Sequence, residues 1–168
     1  MPRKELGMIL RRVGILLFLL LSASAALGTS ETAFETLKGF KGEWAIRAGQ
    51  TTLPIEMTYE SGSKGSVVTE QFGKELSVFY RDGQSLLMTH FCNAGNQPRL
   101  RLRENTRPGV FEFQMFDITN LQSADVDHVE RVVYRIIDDK TIDLEIVWKE
   151  ESEKYTLTRL DPEKHVGN

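Results

Sequence analysis

From Gly42 to Leu160 the chain alternates apolar and polar residues in short runs, and almost every run stops at a turn signal. The runs predict about ten strands: Glu43–Ala48, Leu53–Glu60, Ser66–Phe72, Leu76–Arg81, Ser85–Cys92, Arg99–Glu104, Val110–Phe116, Val129–Ile137, Thr141–Trp148 and Lys154–Leu160. Between them lie Ala48-Gly49, Ser61-Gly62-Ser63, Gly73-Lys74, Asp82-Gly83, the stretch 105–109 and Asp138-Asp139, which suit antiparallel hairpins. Ahead of the first run, Thr29–Lys38 predicts one short helix. Ser30 serves as its N-cap, Phe34 and Leu37 fall at i and i+3, and Gly39 and Gly42 end it.

A meander of that length must dispose of its edges, and closing into a barrel removes them. A two-sheet sandwich is the rival, but it needs long crossing connections and only Asp117 to His128 is long. The expectation is an all-β, closed, antiparallel up-and-down barrel of about 8–10 strands with a short N-terminal helix. In the fifth strand Leu86, Met88, His90 and Cys92 share one face. A hairpin through Asn93 to Gln97 sets Cys92 near Pro98, His90 opposite Leu100 and Met88 opposite Leu102, so the apolar strip faces inward. Thr89, Phe91, Arg99, Arg101 and Arg103 then face solvent.

The first 28 residues depart from this pattern. Arg3, Lys4, Arg11 and Arg12 form a basic leader, Val13 to Leu21 is an apolar run, and Ala23-Ser24-Ala25 has the small residues of a cleavage site. The run is about nine residues, short of the roughly 20 that span a bilayer, so residues 1–28 read as a secretory signal peptide rather than an anchor. Residues 29–168 then form a single exported domain, periplasmic or secreted, with no membrane span after cleavage. Setting aside 1–28 leaves 17 Lys+Arg against 23 Asp+Glu, a formal charge of −6. That balance excludes nucleic acid as a partner. The single cysteine, Cys92, rules out an internal disulfide even in an oxidising compartment, so the fold rests on its hydrophobic core.

Two stretches of sequence carry a resemblance. Gly42-Glu43-Trp44, just after the short helix, resembles the G-x-W that opens the barrels of the calycin superfamily, the lipocalins and fatty-acid-binding proteins. Arg159 in the last strand is similar to the basic residue that stacks on that tryptophan in the family. Phe79-Tyr-Arg-Asp-Gly83, followed by the segment from Met88 to Arg99 (MTHFCNAGNQPR), resembles secreted bacterial lipocalin-like proteins of uncharacterised function. The resemblance spans about residues 35 to 160 and implies a calycin-like barrel, although a second lipocalin motif of the T-D-Y type is absent.

The candidate chemistry gathers in residues 89–103. Asn93, Gly95 and Asn96 suit a tight turn and Pro98 stiffens its exit; Gln97 and Arg99 are not needed for turn-making and can orient a polar ligand head. His90 and Cys92, two apart on one strand face, can reach one ion, and His128 can be brought near by the fold. A buried histidine bonded to the backbone or an asparagine is the favoured reading over a metal or haem held by these three, so no cofactor is expected. Cys–His catalysis was set lower still, for want of an oxyanion hole or a third group. The expected function is a barrel binding a small apolar or amphipathic molecule in its interior, with His90, Cys92, Asn96, Gln97 and Arg99 as ligand-binding residues. The alternatives are a filled-barrel protein-interaction module and, third, a cavity enzyme using His90. The balance leans away from an enzyme, and the sequence assigns no oligomeric state.

Overall fold

The computed structural model describes residues 28–161 apart from Asn105 and Glu150. The leader assigned as a signal peptide lies outside the described residues except for Gly28. No helix among the described residues is long and apolar enough to cross a membrane. Helix α1 (Gly28–Gly39) is followed by β1 (Gly42–Ala48), β2 (Thr51–Gly62), β3 (Val67–Phe72), β4 (Glu75–Asp82), β5 (Ser85–Phe91), β6 (Gln97–Leu102), β7 (Val110–Thr119), β8 (Val129–Ile136), β9 (Thr141–Trp148) and β10 (Glu151–Arg159). Each strand pairs with its sequence neighbours, and β1 closes on β10 through Trp44↔Arg159 and Ile46↔Leu157. The result is the closed ten-strand antiparallel barrel that the alternation predicts, with every edge paired.

Strand ends differ from the pattern where a neighbour's backbone extends the ladder regardless of side chains. β10 begins at Glu151 rather than Lys154 because Glu151↔Trp148 and Ser152↔Val147 complete a tight hairpin with β9. The β4–β5 hairpin pairs Asp82 with Ser85 and turns through Gly83-Gln84, with Gly83 in the left-handed region at φ +57°. The β5–β6 hairpin differs in register from the sequence expectation. Met88 pairs with Leu100, not Leu102, and Thr89 with Arg99. The turn is tighter than expected: the Cys92 N–H bonds Asn96 O at 3.1 Å and the Gly95 N–H bonds Cys92 O at 2.9 Å, with Gly95 at φ +84°. A shift of two residues preserves the side-chain faces, so the inward placement of Leu86, Met88 and His90 stands.

The middle of the barrel is filled. Trp44, Ile46, Met57, Tyr59, Phe79, Leu86, Leu100, Phe113, Tyr134, Ile142 and Leu157 have no accessible surface. A side chain that a water-sized sphere cannot touch borders no void of that size. Phe79, Phe113 and Tyr134 pack edge-to-face with centroids 5.5–6.1 Å apart, the favoured aromatic arrangement.

One end of the barrel is plugged. Helix α1 packs on β2, β4 and β5 and buries Ala33, Phe34 and Leu37 into the core. Beneath it Trp44 donates its indole N–H to Phe40 O at 2.8 Å, and the Arg159 guanidinium lies 4.5 Å from the Trp44 ring. That guanidinium donates to Lys41 O at 2.8 Å and Gly39 O at 2.6 Å, tying the last strand to the end of the helix. Cation–π contact of this kind contributes about 0.5–2 kcal/mol.

Candidate functional site

The candidate site occupies the other end, where β4 begins and β5 and β9 finish. Three donor side chains meet there: Glu75, His90 and Cys92, whose ligand atoms all lie within 4.8 Å of one another. Strand register explains the meeting. Leu76 pairs with Phe91, so the same antiparallel ladder carried one step further sets Glu75 across from Cys92, and Ser77 pairs with His90. Glu75 Oε2 stands 3.7 Å from His90 Nε2, and the Cys92 thiol donates to Glu75 Oε1 across 3.7 Å. Glu75 Oε1 also accepts the Asn93 N–H at 3.1 Å.

His90 is the buried member. Its Nδ1 lies 3.1 Å from Ser77 Oγ, while its Nε2 is buried without a hydrogen-bond partner. The 3.7 Å to Glu75 is too long to serve as one. Burial lowers the His90 pKa and Glu75 raises it less, so the neutral ring is favoured. A buried imidazole nitrogen left unpaired costs about 1–3 kcal/mol, which the rest of the fold must offset. Trp148 packs edge-on to the His90 ring at 6.2 Å.

Behind His90 a polar row crosses the barrel wall on its inner face. Tyr59↔Glu70, Glu70↔Ser77 and Ser77↔His90 are all direct cross-strand pairs on β2 to β5. Glu70 Oε2 accepts the hydroxyls of Tyr59 at 2.6 Å and Tyr134 at 2.7 Å. Burial still pushes the Glu70 pKa up, because desolvation outweighs those hydrogen bonds, and both tyrosines are pushed well above their ordinary value.

The Cys92 thiol is also raised, first by burial, then by the Glu75 and Asp127 carboxylates, against one Ala94 N–H that lowers it. An activated nucleophilic cysteine has the opposite surroundings. Outward of the three donors lies an open pocket of ≈ 490 Å³ lined by Glu75, Cys92, Asp127, Trp148, Lys149, Glu151 and Glu153. One indole wall and a carboxylate-rich rim define its character.

The five residues expected from sequence divide between this mouth and the surface beside it. His90 and Cys92 stand together in it. Asn96 is fully buried, donates to Asp127 O at 2.9 Å and leaves its Oδ1 unpaired, so it ties the β5–β6 turn to the loop before β8. Gln97 is engaged beside the turn, donating to Gly95 O at 2.8 Å and accepting from the Thr119 hydroxyl at 2.9 Å. Arg99 lies outside the barrel, paired with Asp117 at 2.8 Å and, with Arg101, set over the Phe116 ring. His128 turns its Nδ1 to Val126 O at 2.9 Å and its Nε2 toward Glu130, away from the three donors.

Sequence reasoning missed Glu75, Ser77 and Glu70. The signal was present for two of them: Glu70 sits between Val68 and Phe72, and Ser77 precedes Phe79, at the inward positions of their strands, whereas Glu75 lies one residue before the alternation that begins at Leu76. Compared with known proteins, the chain matches no family model and no curated protein.

Proposed function

We propose that this is an exported barrel of calycin-like kinship that binds a small amphipathic molecule at its open mouth. The observation that carries this reading is the asymmetry of the barrel. One end is capped by the helix, with an open pocket of ≈ 550 Å³ beside it whose Arg159 is already bonded to Lys41 O and Gly39 O, and the middle is filled, whereas the other end holds a pocket of ≈ 490 Å³ with Trp148 on its wall and, behind its Glu75 and Cys92 lining, a buried His90 nitrogen without a partner. The sequence pointed to a ligand inside the barrel; the packed aromatic layer moves the available room outward to the mouth. Concave, partly apolar pockets with a few convergent polar groups are the usual form of small-molecule sites. Four carboxylates against Lys149 alone favour a ligand whose polar end is cationic or donates hydrogen bonds. Kinship with the calycins is supported by Gly42-Glu43-Trp44 opening β1 and by Arg159 set on Trp44.

Trp148 makes the test direct. An amphipathic amine probe quenches or shifts Trp148 emission at 1:1 stoichiometry, and Trp148→Phe removes the signal while buried Trp44 stays silent. Native mass spectrometry of the protein purified from its own compartment, showing only the bare polypeptide in every preparation and no probe uptake, sinks the proposal. The filled middle also favours a second reading, a module that binds a protein partner on its outer surface, where Phe91 and Phe116 remain 44% and 43% exposed. Under that reading no probe enters and His90→Ala alters stability alone.

A further inference from the structure

We propose that Glu75, His90 and Cys92 form a three-donor site for a thiophilic divalent cation of the zinc class, with a fourth position open to the mouth pocket. This goes beyond the amphipathic-ligand reading and stands or falls separately from it.

The donor set is one carboxylate oxygen, one imidazole nitrogen and one sulfur, the mixture that zinc accepts in sites with three protein ligands. In a tetrahedral site with zinc about 2.0–2.3 Å from each donor, the donors stand about 3.3–3.6 Å apart. The separations here are 3.7 Å for His90 Nε2 to Glu75 Oε2 and 3.7 Å for Cys92 Sγ to Glu75 Oε1, with all three atoms inside 4.8 Å. Side-chain adjustments of at most about 1.5 Å bring them to that geometry.

His90 supplies an independent reason. Its side chain is only 8% exposed, and the one nitrogen without a partner is the one aimed at Glu75. Ser77 bonds the other nitrogen, Nδ1, at 3.1 Å. In the tautomer whose Nδ1–H donates to the Ser77 oxygen, the Nε2 lone pair faces the other two donors. Metal-binding histidines are held by this kind of hydrogen bond to the second nitrogen. A cation at Nε2 would satisfy a nitrogen that no protein group satisfies.

Binding also balances the charge. The Cys92 S–H bond breaks and an S–metal bond forms, with one proton leaving to solvent per cation bound. Asp127, Glu151 and Glu153 around the opening add a negative field that favours cation entry over Lys149. Three protein donors and one open position match sites where a metal meets an exchangeable ligand, rather than a closed structural site.

The experiment uses the full protein, treated with chelator and then titrated with Co²⁺ as a spectroscopic stand-in for Zn²⁺. A thiolate-to-cobalt band saturating at one ion per chain is expected, displaced by Zn²⁺, with one proton released. Cys92→Ser abolishes the band, and His90→Ala and Glu75→Gln each weaken Zn²⁺ binding at least tenfold. Ser77→Ala, which touches no metal, weakens it about 10–100-fold as a positioning residue, while His128→Ala leaves it unchanged. No band, or a band that survives both His90→Ala and Glu75→Gln, overturns the proposal. Glu75→Gln, at the pocket surface, decides the matter if His90→Ala fails to fold. Amine-probe uptake is measured on the same chelator-treated protein, so loss of metal binding and loss of ligand binding are told apart.

Discussion

The two ends of this barrel are built from similar residue types and solve opposite problems. At the plugged end Trp44 finds Phe40 O, and Arg159 finds both Lys41 O and Gly39 O while covering the indole. Every polar group named there has a partner, as expected where the role is to hold the fold. At the open end His90 Nε2 and Asn96 Oδ1 are buried without one, and the donors Glu75, His90 and Cys92 approach without closing a hydrogen bond between His90 and Glu75. A fold tolerates such unpaired groups at a cost of about 1–3 kcal/mol each, and they are the basis for the ligand and metal proposed at this end. An aromatic beside charged groups is fully buried and structural at one end, whereas at the other Trp148 is only partly buried and lines the proposed binding pocket. The difference lies in whether the polar atoms are already satisfied.

Substitutions that break this contrast most sharply lie at the plugged end. Trp44→Ala, which empties a fully buried indole site, is expected to cost about 3–5 kcal/mol in chemical unfolding. Tyr134→Phe, between the ends, removes one of the two hydroxyls on Glu70 and should cost about 1–3 kcal/mol. Arg159→Ala should cost about 1–2 kcal/mol, measured the same way, through the lost indole contact and two carbonyl partners.

A gentler test reads stability against pH. The native state raises the Glu70 pKa, so it holds that proton more tightly than the unfolded chain does. The contribution is therefore fully present below the ordinary carboxyl value of 4.5 and is lost as pH rises through the raised native value. Over that window wild type should lose stability relative to Glu70→Gln, and parallel curves for the two would contradict the assignment. The smallest effect is expected at the mouth: His90→Leu removes the unpaired nitrogen and should change unfolding free energy by less than about 1 kcal/mol. A loss as large as that of Trp44→Ala would place His90 among the structural residues and erase the distinction between the ends.

Much of the barrel was legible in the chain because period-two alternation is a local property. Val129 to Ile136 and Thr141 to Trp148 read as strands without any knowledge of their neighbours. The inward face of β5 was legible for the same reason, and it survived a two-residue error in hairpin register because two residues return every side chain to the same face. Two of the three donors were visible in this way, since His90 and Cys92 share that face. Glu75 was not, because it lies one residue before the apolar alternation of its strand, where the pattern alone reads as turn. Gln97 and Arg99 stood out by residue type, yet the Gln97 amide is tied back to the turn and β7, and the Arg99 guanidinium to Asp117 and Phe116. Residue type says what a side chain can do, whereas the partners it finds decide whether it is free to do it.

By itself the sequence determined the strand count to within about two, the antiparallel order, the short N-terminal helix and the inward set of β5, all of which follow from spacing along one chain. Only the tertiary structure decided that the middle is filled, that Glu70, Ser77 and His90 form one row, and that Glu75 faces Cys92. Those facts depend on register between strands and on how ten sets of inward side chains share one volume. No single strand carries that information, because each contributes only one column to an interior that all of them fill together.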